Sequence, residues 1–380
     1  MESLEVAVLE PYYGGSHAAF VDAFCRYSAH RCHLVTLPAR KWKWRMRGAA
    51  AWFARHDTAW ISRMSAAAEA GRAVLFTNDM LSVADLRALL PPDWRRVPIV
   101  VYFHENQLSY PLPDESTRDY QFGMTNILSC LAADGVWFNS HDHLETFLAA
   151  ADRLLAKMPD HVPAGIVENV RLRAVVLAPP VDIPPAPSRA RRNPPVILWP
   201  HRWEYDKNPR PFFEALVTLH AEGKRFRLVL LGEQFREAPA EFRAARRTLA
   251  EVIDHCGYVD RASGYLEILR RCDLVVSTAI HETFGLAVAE SILGGCQPLL
   301  PRRLSYPEMI PQAFHGRCLY DGDDELMVRL RDLIRATGWL EDGDLEALKT
   351  SLVQRFGLPG AVQRLDSSLE AVWRQAGGRG

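Results

Sequence analysis

Residues 177–200 read LAPPVDIPPAPSRARRNPPVILWP, with seven prolines between Pro179 and Pro195. Proline fixes φ and lacks an N–H, so neither a helix interior nor a central strand tolerates that density. We read 181–195 as an interdomain linker. Before it, LEVAVLEPYYGGSHAAFVDAF reads as a buried strand, a Gly-Gly turn and an amphipathic helix. AVLFTND, PIVVYFHEN and GVWFNS repeat the theme of a short apolar run ending in polar residues. After it, VILWPH, FRLVLLGE, IDHCGYV and DLVVSTA alternate with helical stretches such as PFFEALVTLHAEG and FGLAVAESILGG. Apolar runs without alternation suit strands of a parallel sheet covered on both faces. The expected fold is α/β, with two doubly wound Rossmann-like domains facing a central cleft, residues 1–180 and 196–355. Residues 356–380 read as an amphipathic helix whose partner the sequence leaves open.

At 380 residues the chain exceeds one ordinary core, and 48% hydrophobic with 24% charged residues is a globular balance. The formal net charge of −1 gives no global attraction to nucleic acid, so any such contact needs a local patch. No signal peptide or membrane-length apolar run is legible. Seven scattered cysteines without a C-x-x-C pair argue for reduced thiols and a cytoplasmic enzyme.

In open α/β sheets ligands bind beyond the carboxyl ends of the strands, so polar residues there are the first candidates. HETFGLAVAE, His281 to Glu290, follows the strand DLVVSTA. Gly285 permits close backbone approach, and the helix start beyond it favours an anion. Glu282 and Glu290 could accept from ligand hydroxyls; alternatively the first answers the helix dipole and the second is solvated. HRWEYDKN sets Arg202 and Lys207 five positions apart after VILWP. Such cations suit a diphosphate, or else are surface charges paired with Glu204 and Asp206. Gly14, Gly15 and Ser16 form a turn into a helix. His104, Glu105, Asn106 and Gln107 cluster after PIVVYF and read as an active-site loop. Arg118, Asp119, Gln121, Asn139 and Ser140 are weaker acceptor-side candidates. His141 and His143 have metal-like spacing but no evident third ligand, and read as solvated loop histidines.

In RKWKWRMR, Lys41, Lys43, Arg45 and Arg47 alternate with Trp42, Trp44 and Met46. That is a half-buried extended segment with a solvated basic face, or an RNA-contact strip in which an aromatic stacks on a splayed base. The acidic runs Asp321–Glu325 and Asp342–Asp344 read as N-caps and turns rather than metal ligands.

Arg-x4-Lys after one strand and Glu-x7-Glu after a later one resemble the nucleotide-sugar half of retaining glycosyltransferases of two-domain GT-B architecture. EPYYGGSH, LPARKWKWRMR, YFHENQLSYP, RDYQFGMTNILSCLAAD, FNS, WPHRWEYDKNP, LGEQF, GYV and HETFG together closely resemble the tRNA-queuosine α-mannosyltransferase family. These blocks run in order over most of the chain. The resemblance implies transfer of mannose from GDP-mannose, with retention, to queuosine in a tRNA anticodon. It implies that Arg202 and Lys207 hold the diphosphate, and that Glu282 with the backbone of Phe284, Gly285 and Leu286 holds the mannose. Glu290 would hold the ribose, Tyr258 would lie by the base, and His104 would touch the transferred sugar. Gly14 and Gly15 would approach the diphosphate from across the cleft. No metal or other cofactor is expected. The alternatives are the same fold acting on a lipid or small glycan, or a catalytically silent RNA-binding protein. A dinucleotide enzyme is disfavoured by the missing G-x-G-x-x-G.

Overall fold

A computed structural model of the chain describes residues 3–112, 114–233, 240–259 and 262–377. Its contacts divide it into two compact units: residues up to Tyr110 with Asp114–Pro180 and Leu358 onward, and Val181–Gly357.

The first unit is built on β1 (Glu5–Tyr13), β2 (Arg31–Pro38), β3 (Ala73–Asn78), β4 (Ile99–Phe103), β5 (Gly135–Phe138) and β6 (Ala174–Val176). They pair in parallel in the order β2-β1-β3-β4-β5-β6. Every residue of β3, β4 and β5 is buried, as two covered faces demand, whereas the edge strand β2 is partly exposed. The direction of chain progression reverses at β1 and β3, which makes their carboxyl ends a topological switch point.

The partner left open for the last helix, Gly360–Gln375, is this sheet. Val362, Leu365, Leu369, Val372 and Trp373 recur at helical spacing and join Val6, Phe76, Tyr102 and Trp137 in one core. Asp366 accepts from Ser28 Oγ at 2.7 Å and Ala29 N at 2.8 Å, fastening the helix beyond the end of Gly15–Tyr27. Gly135 allows the close approach: a Cβ there would lie 2.8 Å from Val372 Cγ2.

The second unit carries β7 (Val196–Trp199), β8 (Arg227–Leu231), β9 (Ile253–Gly257), β10 (Leu274–Val276), β11 (Gln297–Pro301) and β12 (Leu319–Tyr320). Their order is β12-β11-β10-β7-β8-β9, all parallel, which is the doubly wound dinucleotide-fold order. Its switch point lies between β7 and β10, the two strands that precede the Arg/Lys and Glu/Glu motifs.

Three readings need correction. RKWKWRMR is not extended: Trp42–Arg55 is a helix that buries Met46, Ala49, Ala50, Phe53 and Ala54 at i, i+3, i+4, i+7 and i+8. His143 is not a loop residue: it sits buried in the first turn of helix His141–Leu155, whose N-cap is Ser140. The acidic runs do not cap their helices through side chains. Gly322 and Glu341 are the N-cap residues, and Asp323, Asp324, Glu325, Asp342 and Asp344 fall in first turns, where the dipole favours them.

Truncating Leu369 to Ala is expected to destabilise the first unit by about 2–5 kcal/mol, since the fully buried side chain leaves a cavity in a packed layer. Urea unfolding of the variant against wild type measures it.

Candidate active site

In the second unit the chain after β7 makes a short 3-10 turn, Tyr205–Lys207, and the loop after β10 is laid against it. Ile280 N donates to Asp206 O at 2.9 Å, and Thr278 Oγ1 to Lys207 O at 3.2 Å. Into this seam Lys207 sends its ammonium, 2.9 Å from Asp206 Oδ2 and 3.4 Å from Glu282 Oε2, and it donates to His281 O at 2.9 Å. Burial opposes the charge on Lys207, yet Glu282 and Asp206 more than offset it and its pKa is raised. Glu282 is the mirror case: burial opposes its charge, but Lys207 holds it below the usual carboxylate range. His201, buried beside them, is driven down to about 3 by burial and by the Lys207 charge, so it is neutral at physiological pH. Arg202, by contrast, keeps a side chain 52% exposed, with Glu204 Oε2 at 3.1 Å. Of the two cations, one is locked into the scaffold and one stands toward solvent.

Gly285 caps helix Leu286–Leu293 at φ 91°, a left-handed conformation that a side chain rarely adopts, and a Cβ there would crowd Tyr306 at 3.1 Å. Ser305 Oγ donates to Phe284 O at 2.9 Å, and the Phe284 ring packs edge-on against Phe356. The Phe284–Leu286 backbone is therefore fixed from below. Glu290 lies in the second turn of that helix, where Tyr265 Oη donates to its Oε2 at 2.6 Å. Tyr258 follows β9 with 65% of its surface exposed. The structure thus brings Arg202, Lys207, Glu282, Phe284, Gly285, Leu286 and Glu290 to the carboxyl ends of β7 and β10 in one unit. The Gln234–Phe235 end of LGEQF lies outside the described residues.

The first unit has a second convergence, at its own switch point. Glu10 on β1, His17 in the helix after the Gly14–Gly15 turn, and His104 after β4 have ligand-type atoms within 4.8 Å of one another. Glu10, Asn78 and Asp79 complete this cluster; of these, TND at the end of β3 is the signal the sequence carries. Asn78 Nδ2 donates to Glu10 Oε2 at 2.6 Å, and Tyr12 N to Glu10 Oε1 at 2.7 Å. Both Glu10 oxygens are thus engaged by amide donors, which suits a hydrogen-bonded cluster better than an open ligand set. Burial opposes charge on His17, but Glu10 and Asp79 outweigh it and its pKa is raised. His104, its ring tilted against that of His17 with centroids 4.2 Å apart, is held well below the usual range by burial and by the His17 charge. Asp79 is raised to about 7 by burial, opposed by His17, and its Oδ1 accepts from His104 N at 2.9 Å. The outcome is an imidazole held toward its neutral form above a rigid, hydrogen-bonded base.

Several acceptor-side candidates have framework contacts. Asn106 is fully buried and folds its own loop, its Oδ1 accepting from Leu108 N and Ser109 N. Gln107 N donates to Asn126 Oδ1 at 3.1 Å. Arg118 ties the same loop through Gln107 O and Tyr110 O and pairs with Glu115 at 2.7 Å. Asp119 caps helix Tyr120–Ala132 through Gln121 N, and Asn139 donates to His104 O at 3.0 Å while meeting His143 Nδ1 at 2.8 Å. Lys41, the N-cap residue of helix Trp42–Arg55, is exposed, as are Lys43, Trp44 and Arg47 on the helix, while Trp42 packs on Phe122. Arg45 turns back to Pro38 O at 3.1 Å. Trp44 is 65% exposed and lies over Gly48, whose missing side chain makes room for the indole.

Comparison with known proteins gives two family matches. Residues 5–181 match the family described as tRNA-queuosine alpha-mannosyltransferase N-terminal, and residues 183–338 match glycosyl transferases group 1. The chain is 36% identical over 342 residues to a tRNA-queuosine alpha-mannosyltransferase of Drosophila melanogaster, covering 87% of each. It is 28% identical over 144 residues to a GDP-mannose-dependent alpha-(1-6)-phosphatidylinositol dimannoside mannosyltransferase of Mycobacterium tuberculosis, 37% of this chain and 36% of the other. Among solved structures it resembles sucrose-phosphate synthase of Thermosynechococcus elongatus, with TM-score 0.69 and 14% identity over 98% of this chain and 100% of that one. It also resembles Anabaena HepE in complex with UDP, with TM-score 0.65 and 13% identity over 97% and 100%. These two share the GT-B fold with this chain.

Lys207→Ala is expected to cost about 3–5 kcal/mol of stability in the second unit, because it strands Asp206 and Glu282 without their cation. In urea unfolding, Glu282→Gln added to it should restore part of the loss; additive losses would refute the coupling.

Proposed function

The chain belongs to the tRNA-queuosine alpha-mannosyltransferase family, and from that premise we propose that it transfers mannose from GDP-mannose to queuosine in the anticodon of tRNA-Asp, with retention. The observation that carries the reading is the convergence of two cations, two carboxylates and a helix start at the switch point of the second unit. An activated sugar joined to a nucleoside by a diphosphate needs that set: cations for the phosphates and carboxylates for the hydroxyls at either end. The GDP-mannose requirement named for the mycobacterial relative supports this choice of donor.

In the proposed reaction the bond from sugar C1 to the diphosphate oxygen breaks as C1 bonds a hydroxyl of the queuosine cyclopentenediol. The proton of that hydroxyl passes to the departing phosphate oxygen on the same face. Charge grows on the diphosphate, where Arg202, Lys207 and the amides at Phe284–Leu286 stabilise it without reorganising. Glu282 and Glu290 take the mannose hydroxyls and the ribose, and Tyr258 flanks the base. Gly14, Gly15 and Ser16 serve the donor, and the neutral His104 serves the transferred sugar as a hydrogen-bonding partner.

For the tRNA, exposed Trp44 offers a stacking face, with Lys41, Lys43 and Arg47 beside it for phosphates. Asn106, Gln107, Arg118, Asn139 and Ser140 would shape the acceptor loop through the contacts described. The seven cysteines are all unpaired with one another, and among the described residues no helix is long and apolar enough to cross a membrane; both fit work on tRNA in the cytoplasm.

The deciding experiment incubates the protein with queuosine-containing tRNA and a panel of nucleotide sugars, then analyses nucleosides by mass spectrometry. A hexose on queuosine, from GDP-mannose alone, is the expected product; hexose from another donor or on another nucleoside overturns the assignment. Arg202→Ala should lower turnover about a hundredfold to a thousandfold while leaving stability near wild type, because its side chain is half exposed. Activity is expected to survive exhaustive chelation. Loss on chelation with recovery on adding manganese would contradict that and direct attention to Glu10, His17 and His104.

A further inference from the structure

Tyr265 belongs to no motif and follows no strand, yet its hydroxyl is 2.6 Å from the carboxylate assigned above to the donor ribose. Resting on that assignment of Glu290, we infer that Tyr265 is a positioning residue for nucleotide recognition: it anchors Oε2 and leaves Oε1 to accept from the ribose diol. The hydrogen bond joins helix Ala262–Arg271 to helix Leu286–Leu293, so the carboxylate is fixed from a separate element rather than by its own backbone. Among the described residues no other donor bonds the Glu290 side chain. A carboxylate on a two-carbon stem otherwise samples several rotamers, and a ligand that must freeze them loses affinity.

Tyr265 also biases the protonation state. Burial lifts Glu290 to about 7; the hydrogen bond from Tyr265 opposes this, while Asp182, from the segment preceding β7, adds to it. A protonated Glu290 accepts poorly from a diol, so nucleotide affinity should fall as pH drops through about 7. Deleting the phenol hydroxyl removes a lowering influence, so the same loss should begin at higher pH. The phenol itself stays protonated throughout, its pKa raised well above the usual value by burial and by the Glu290 charge. Tyr258 and Cys296 also face Tyr265. Burial raises the Cys296 thiol well above its usual value, so it stays protonated beside the titrating Glu290.

The test is calorimetric binding of GDP to the full-length protein between about pH 6 and about pH 8.5, a range that brackets the Glu290 transition. Tyr265→Phe is expected to weaken GDP about tenfold near neutrality, with the deficit shrinking toward the alkaline end and the midpoint displaced upward. 2′,3′-Dideoxy-GDP, which lacks the diol, should bind wild type and variant alike. A wild-type profile for Tyr265→Phe, or a uniform loss at every pH for both probes, overturns the inference, the latter marking a purely structural bond. Glu290→Gln separates the two levels. If it binds GDP as wild type does, the ribose assignment fails; if it weakens GDP while Tyr265→Phe does not, only the role of Tyr265 fails.

Discussion

The second unit turns on one buried cation. Lys207 lies where β7 ends, and its partners Asp206 and Glu282 come from its own turn and from the loop after β10, 75 positions along the chain. A single lysine among apolar strands would be driven toward neutrality, and a pair of carboxylates there would be driven to take up protons. Lys207 and Glu282 hold each other toward the charged form, and with Asp206 they close the seam between the two loops at this switch point. The arrangement also divides labour. Lys207 is held by three oxygens, from two side chains and a carbonyl, whereas the Arg202 guanidinium reaches solvent. A diphosphate arriving there would meet a prepaid charge on one side and an adaptable fork on the other.

The same logic recurs in the first unit with other residues. Its switch point at β1 and β3 gathers Glu10, His17, Asn78 and Asp79 below His104. Burial and neighbouring charge push the two histidines in opposite directions, the inner one toward the protonated form and the outer one away from it. Both units therefore use the gap that strand order leaves in a parallel sheet, and both fill it with groups whose ionisation their neighbours set.

What was legible in sequence follows from distance along the chain. The fully apolar strands and the charged residues immediately beyond them are local signals: the strands gave the two sheets, and Arg202, Lys207, Glu282 and Glu290 could be seen to follow strands. The proline run marks the change from one unit to the next, but Val181–Pro195 belongs to the second unit. Contacts between distant segments left no local trace: nothing in HRWEYDKN indicates that Lys207 meets Glu282, and nothing in SGYLEIL marks Tyr265 as a partner of Glu290. The error at RKWKWRMR was one of window length. Over eight residues basic and aromatic types alternate at period two, but continuing to Arg55 exposes Met46, Ala49, Ala50, Phe53 and Ala54 at helical spacing. His143 failed similarly, because Ser140 three positions earlier is a helix N-cap, and its hydroxyl accepts from His143 N at 3.1 Å.

That helix also bears on how a protein of net charge −1 could take RNA as its substrate. A strand would have pointed its tryptophans to one face and its cations to the other, separating stacking from charge. On the helix, Lys43, Trp44 and Arg47 share an exposed surface, since positions three and four apart are neighbours. Trp44 can rest flat because Gly48 offers no side chain beneath it. Stacking on a splayed base contributes about 1–3 kcal/mol and tolerates salt, whereas phosphate contacts do not. A neutral protein with a compact patch of this kind would rely less on long-range attraction to any nucleic acid. It would rely more on a loop whose bases are unpaired and can be splayed out, as in an anticodon.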